Sequence, residues 1–294
     1  MTMEPNDTTP KATRREALSR GIAGALTLTG LGLIEKSALA FAVEPTPGTT
    51  QGPYWVDEML NRSDIRADPS NGAVALGFPL RLTVNVSQLD AAGKATPLPG
   101  AIVDIWHCNA LGVYSDEASE NTLGMKFLRG YQVTDARGGV KFVTVYPGWY
   151  SGRTPHIHVR TRVYNAATGA VTYNQVTQLF FDEAATNQVY TQAPYNQHPG
   201  RDTTNATDMI YTADDDADHV EDGVELMLTM AGKGTYALAT YNIYLNLANG
   251  TGNGDGGGAP PGGGGNPPGG GGGPPPGGGG PPPGGGGPPP GGGS

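Results

Sequence analysis

Pro147-Gly148-Trp149-Tyr150-Ser151-Gly152-Arg153-Thr154-Pro155-His156-Ile157-His158 runs straight into Val159-Arg160-Thr161-Arg162-Val163-Tyr164, a stretch of strand character. On a β-strand alternate side chains share a face, so His156 and His158 are expected on one side and Ile157 on the other. Two imidazoles side by side on a strand are half of a metal site. Tyr150 lies six residues before His156, across a turn rich in Gly, Pro and Ser, close enough to fold back onto the same ion. A phenol has a reference pKa near ~10, so only a strong Lewis acid keeps it ionised at neutral pH. Oxygen and imidazole donors without a thiolate argue against structural zinc or an iron–sulfur cluster and point to a ferric centre.

Upstream, Ala101-Ile102-Val103-Asp104-Ile105-Trp106-His107-Cys108-Asn109-Ala110-Leu111-Gly112-Val113-Tyr114-Ser115 reads as a strand to Trp106, a polar turn, and a second phenol, Tyr114, delivered at the far side. An H-x-H pair also occurs in cupin sheets, which need a carboxylate a few residues downstream. Val159 to Asn165 contains none.

Together these segments resemble the intradiol ring-cleavage dioxygenases. That family shows a strand ending in D/E-I-W-x-x-N-x-x-G-x-Y, then P-G-x-Y, then R-x-x-H-I-H. Here the matching residues are Asp104 to Tyr114, Pro147 to Tyr150, and Arg153 to His158. Thr50-Gln51-Gly52-Pro53-Tyr54 and Arg62-Ser63-Asp64-Ile65 resemble the family's opening segment, so the likeness covers roughly residues 47 to 246. It implies that Tyr114, Tyr150, His156 and His158 hold a non-haem Fe(III), with Tyr150 the ligand released to take a substrate proton. It further implies that Arg153 stabilises charge developing on the ring and that Gln178 touches both substrate and Arg153. The implied reaction uses O2 to cleave a catechol-type ring between its two hydroxylated carbons, giving a cis,cis-muconate. An extracytoplasmic β-sandwich that binds aromatic or ferric ligands without turnover is the alternative reading. The particular catechol and the oligomeric state stay open.

Period-two alternation dominates the middle of the chain. Leu80, Leu82, Val84 and Val86 alternate with polar residues, as in a strand with one wet face. Tyr131 to Thr134 and Val140 to Val145, joined by Asp135-Ala136-Arg137-Gly138-Gly139, read as a hairpin. Ala170 to Tyr173 and Val176 to Phe181 read as two further strands, and Tyr236 to Leu245 as a closing one. Helix signals are limited to Asp182 to Thr191 and a piece near Asp214 to Asp222. Repeated short strands with Gly/Pro turns predict a mostly β fold, an antiparallel β-sandwich with few short helices and the metal site at loops and strand ends.

Both ends of the 294-residue chain are composition outliers. Residues 1–42 read as a twin-arginine signal: Arg14-Arg15, a weakly apolar run from Gly21 to Ile34, and Ala38-Leu39-Ala40 as an A-x-A-like cleavage site. This predicts export through the twin-arginine machinery to a periplasmic or extracellular location. Residues 249–294 are almost pure Gly and Pro, with Pro-Pro-Pro recurring from Pro274, Pro281 and Pro288. Such a segment cannot bury a core and is expected to stay disordered, so that removing everything after Leu247 should leave fold and turnover intact.

Residues 43–248 remain as one domain. The formal charge is −9; removing residues 1–40 takes away five of 18 basic and four of 27 acidic residues, leaving 13 against 23, or −10. That balance disfavours nucleic acid as a partner. The single cysteine, Cys108, cannot form an internal disulfide and reads as a core filler behind the Tyr114 loop. Trp106 and Trp149 read as packing, and His107, His198 and His219 as surface histidines.

Overall fold

The computed structural model describes residues 43–214, 219–232, 234–248 and 252–253. The signal and nearly all of the tail expected from the sequence lie outside them. Nine strands are formed among the described residues: β1 (Pro79–Leu89), β2 (Ala95–Pro97), β3 (Ile102–Trp106), β4 (Arg129–Val133), β5 (Gly139–Val145), β6 (His156–Tyr164), β7 (Val171–Phe180), β8 (Thr229–Gly232) and β9 (Ala237–Leu245). One sheet runs β2-β1-β9-β8, with β5 also paired to β1; the other runs β4-β3-β6-β7. The mostly β, mostly antiparallel sandwich expected from the alternation is present. The exception is β9, which lies parallel to β1, with Leu80 opposite Ala237 through Gln88 opposite Leu245. Its long connection, carrying β2 to β8, lets it enter in the same direction.

The expected hairpin is not one. The tight turn exists, with Asp135 Oδ1 accepting from Arg137 N (2.8 Å) and Gly139 N (2.9 Å). However, β4 pairs with β3 and β5 pairs with β1, so the turn carries the chain from one sheet to the other. The Gly138 carbonyl accepts from Val86 N at 2.8 Å, which docks the turn on β1 and aims the next strand into that sheet. The two strands expected before and after Asn174 are instead one, β7. Its polar interruption is held in place: Asn174 Oδ1 accepts from Arg160 Nε (2.8 Å) and Gln175 Nε2 donates to the Thr46 carbonyl (2.6 Å).

Helix α1 (Glu183–Val189) starts where Asp182 caps it, accepting from Ala184 N and Ala185 N. Helix α2 (Asp222–Glu225) is a single turn at the far end of the predicted acidic piece; residues 215–218 of that piece lie outside the description. Among the described residues no helix is long and apolar enough to cross a membrane.

The core fills the space between the sheets with Leu80, Leu82, Val84 and Val86 from β1, Val103 and Ile105 from β3, and Ile157 and Val159 from β6. Alternation then puts His156, His158, Arg160 and Arg162 on the other face of β6, beside Asp104 and Trp106 of β3. This outer face is buried too, because the chain around Tyr54 to Asp57 lies over it.

Candidate metal centre

The site forms where β6 begins. Two loops bring the phenols there, and two glycines let those loops touch. A Cβ on Gly148 would lie 2.6 Å from the Ala110 backbone, and one on Gly112, whose φ is +85°, would lie 2.1 Å from the Trp149 carbonyl. Gly148 N also donates to the Asn109 carbonyl at 3.0 Å. Only glycine permits so close a backbone approach. The Tyr114 loop and the Tyr150 loop are therefore fitted to each other. Asp202 holds the tip of the second loop, accepting from Ser151 Oγ (2.6 Å) and Gly152 N (3.1 Å).

His156 Nδ1 lies 2.6 Å from the Thr154 carbonyl, which can only accept. Nδ1 therefore carries the proton, and the lone pair of Nε2 faces the site. That Nε2 is 3.2 Å from His158 Nε2 and 3.3 Å from Tyr150 Oη. The Tyr114 ring meets the Tyr150 ring edge-on at 5.7 Å. Tyr114 Oη and His158 Nδ1 are buried with no hydrogen-bond partner among the described residues. Trp106 stacks flat on His158 at 4.7 Å, and Tyr54 stacks on Tyr114 at 4.2 Å.

Burial, then the charge of Arg153, holds His156 well below the ordinary imidazole range. Burial, then His156, does the same to His158. Both rings are neutral and free to donate lone pairs. Burial also pushes both phenols up, Tyr114 with a second push from Tyr150, while Arg153 opposes the rise at Tyr150.

This donor set fits a hard, highly charged cation. Facing imidazole nitrogens and an orphaned buried phenol are costly in a purely structural cluster, and each is relieved by a shared ion. Among the described residues no group of three or more His, Cys, Asp or Glu gathers as a metal site, so phenols and imidazoles are what the fold offers here.

Arg153 stands beside this cluster. Its Nη2 donates to Gln178 Oε1, and its Nε to Asp208 Oδ2 at 2.9 Å. Gln178 is fully buried on β7, directly opposite His158.

A family model described as dioxygenase matches residues 50–188. An intradiol ring-cleavage dioxygenase from Tetranychus urticae is similar in structure, with TM-score 0.56 and 29% identity, covering 71% of this chain and 96% of that one. In sequence and in fold the chain is similar to the intradiol ring-cleavage dioxygenases. Among curated members of this family it is 32% identical over 124 residues to the protocatechuate 3,4-dioxygenase beta chain of Burkholderia cepacia, covering 39% of this chain and 51% of that one. It is 30% identical over 109 residues to the catechol 1,2-dioxygenase of Candida albicans, covering 36% of this chain and 33% of that one. The chain thus spans about half the length of the first of these curated dioxygenases and a third of the second.

Asp208 is the residue of this site that sequence reasoning missed. It is fully buried and accepts from Arg153 Nε, Thr154 N (2.8 Å), Ile210 N (2.8 Å) and Tyr211 N (3.1 Å). Nothing in its polar loop distinguishes it locally. The histidine expectation also needs correction. His107 is buried, with Nδ1 2.8 Å from the Cys108 carbonyl and Nε2 2.7 Å from Thr144 Oγ1, so both nitrogens are satisfied inside the fold. His198 is half-buried and stacks on Trp149 at 4.3 Å, which leaves His219 as the exposed one of the three. Cys108 is buried, and burial pushes its thiol to about 12, which rules out a nucleophile at neutral pH.

Proposed function

We propose that this protein is a non-haem Fe(III) dioxygenase that cleaves a catechol-type ring between its two hydroxylated carbons, giving a cis,cis-muconate. The observation that carries this reading is that His156 Nε2 lies 3.3 Å from Tyr150 Oη and 3.2 Å from His158 Nε2, beside an orphaned Tyr114 Oη and flanked by Arg153. Tyr114, Tyr150, His156 and His158 would hold the iron. When bound, ferric ion supplies a Lewis acid and template that binds the catechol through its oxygens and prepares its ring for O2.

The remaining work falls to the chain itself. Tyr150 Oη, ionised while it holds the iron, would be the base that receives a proton from a substrate hydroxyl. The Thr154 carbonyl keeps the His156 proton on Nδ1, so that ring enters the site as a donor. Arg153 presents a guanidinium to charge developing on the ring. Asp208 and Gln178 hold that guanidinium from two directions before any substrate arrives, and preorganised donors of this kind contribute most where water is excluded. Trp106 and Tyr54 supply the apolar walls.

The twin-arginine segment supports export of an already folded, metal-loaded enzyme to a periplasmic or extracellular location. The test is direct. The purified full chain should carry about one iron and a broad visible tyrosinate-to-iron band, take up O2 with some member of a catechol panel, and release a dicarboxylate holding both oxygen atoms. Stoichiometric zinc without visible absorbance, or a yellow semialdehyde as product, would refute the assignment.

A further inference from the structure

β7 is an edge strand whose outer side is covered by other parts of the chain. The chain from Thr46 to Thr50 lies along it, with Gln175 Nε2 donating to the Thr46 carbonyl (2.6 Å) and Thr177 Oγ1 to the Pro47 carbonyl (2.9 Å). Thr49 N donates to the Val176 carbonyl (2.9 Å), and Gln178 Nε2 to the Thr50 carbonyl (2.9 Å). One further side chain closes this seam, and it comes from the segment the sequence assigned to a structureless tail. Asn253 Oδ1 accepts from Val176 N at 2.8 Å, while its Nδ2 donates to the carbonyls of Thr49 (2.8 Å) and Val176 (3.1 Å). A primary amide thus pairs with one strand residue as a neighbouring strand would, and also grips the strap.

The fit is shaped on both sides. Gly252 has φ +81°, and a Cβ there would lie 2.1 Å from the Asn174 carbonyl; a Cβ on Gly48 would lie 2.5 Å from Asn253 Nδ2. The boundary of the folded domain therefore extends to Asn253, beyond the residue 248 expected from composition.

We propose that Asn253 is a positioning residue for the ring-cleavage site, acting through the strap on Gln178 and Arg153. This rests on the reading of Arg153 given above. The Gln178 amide presents its oxygen to Arg153 and its nitrogen to the Thr50 carbonyl, so these two partners together fix its orientation. Asn253 fixes the adjoining Thr49 carbonyl. Loss of that clamp lets the Thr50 peptide turn, and a flipped Gln178 would set its NH2 against the guanidinium.

The experiment uses the full chain, Asn253→Ala, Asn253→Asp, and chains ending at Leu247 or at Asn253. Each is assayed for kcat and KM well below its melting temperature and for hydrogen exchange at the Val176 amide. Asn253→Ala and the Leu247-terminated chain should lose about three- to tenfold in kcat with KM little changed, the scale of one hydrogen bond. Their Val176 amide should exchange at least about tenfold faster, as an amide that has lost its acceptor does. Asn253→Asp retains that acceptor and so should keep the amide protected while losing kcat like Asn253→Ala. The Asn253-terminated chain should match the full chain in every readout. A lowered melting temperature with unchanged kcat would make Asn253 a structural clasp only and overturn the proposal, as would unchanged Val176 exchange. A full chain inactive on every catechol would sink the reading of the site, and exchange at Val176 would then decide alone whether the latch exists.

Discussion

The outer face of β6 carries two imidazoles and then two guanidiniums, and the two halves are equally buried: His156 and His158 are 2% and 1% exposed, Arg160 and Arg162 4% and 1%. They differ in how their polar atoms are satisfied. Arg162 makes a two-point pair with Asp104, at 3.0 and 2.7 Å, and a third bond to Asp57 at 2.8 Å. Arg160 donates to Asn174 and Gln51 and lies over the Trp55 ring at 4.7 Å. In the first half the imidazole nitrogens face each other and a buried phenol finds no partner. A saturated polar cluster is a structural device; one left short of partners inside the same strand is built for something that arrives later.

That contrast is broken most severely by emptying the first half of its donors. His158→Ala and Tyr114→Phe should each abolish the visible iron band and reduce turnover by a thousandfold or more, on the order expected when a catalytic unit is dismantled. Circular dichroism should show the fold intact in both, because Tyr114 Oη and His158 Nδ1 have no hydrogen-bond partner among the described residues and His158 Nε2 meets only His156.

The second half should behave in the opposite way. Asp104→Ala leaves the buried Arg162 charge with Asp57 as its one paired carboxylate, and should cost about 3–5 kcal/mol in denaturant unfolding. Iron content per folded molecule should hardly change.

Between the halves stands Arg153, tied to structure through Asp208 and Gln178 yet facing the site. Arg153→Ala should keep the colour and lose about a hundredfold in kcat, the usual loss for one charge-stabilising donor. Asp208→Asn should give a smaller loss of the same kind. Bleaching of the iron in Arg153→Ala would mean that the two halves are not separate.

The smallest effect is a pH dependence from His107, another saturated group. Burial lowers its pKa from 6.5 to about 4. The unfolded chain therefore binds the extra proton between those values, and stability falls as pH drops from about 6.5 toward 4. The slope is at most about 1.4 kcal/mol per pH unit. Urea titrations across that range should show the slope in the native chain and its flattening in His107→Gln.

Much of the centre could be read from the chain because its parts are local. The H-x-H alternation put His156 and His158 on one face and Ile157 in the core. The helix signal from Asp182 to Thr191 marked α1. The misread parts lacked any local mark. Asp135 to Gly139 is a sound turn, but turn chemistry does not specify which sheet receives the next strand. Asn174 and Gln175 seemed to break a strand because their partners, Arg160 and Thr46, lie elsewhere in the chain.

By itself the sequence determined the donor side chains of the motif, their order and the shared face of His156 and His158, since strand alternation acts over a few residues. Only the tertiary structure decided that β9 runs parallel to β1, that Asp208 comes from 55 residues away to hold Arg153, and that Asn253 closes the edge of β7. The reason is the same each time. A buried donor or strand edge must be satisfied by whatever packing brings near, and packing is settled by the whole chain at once.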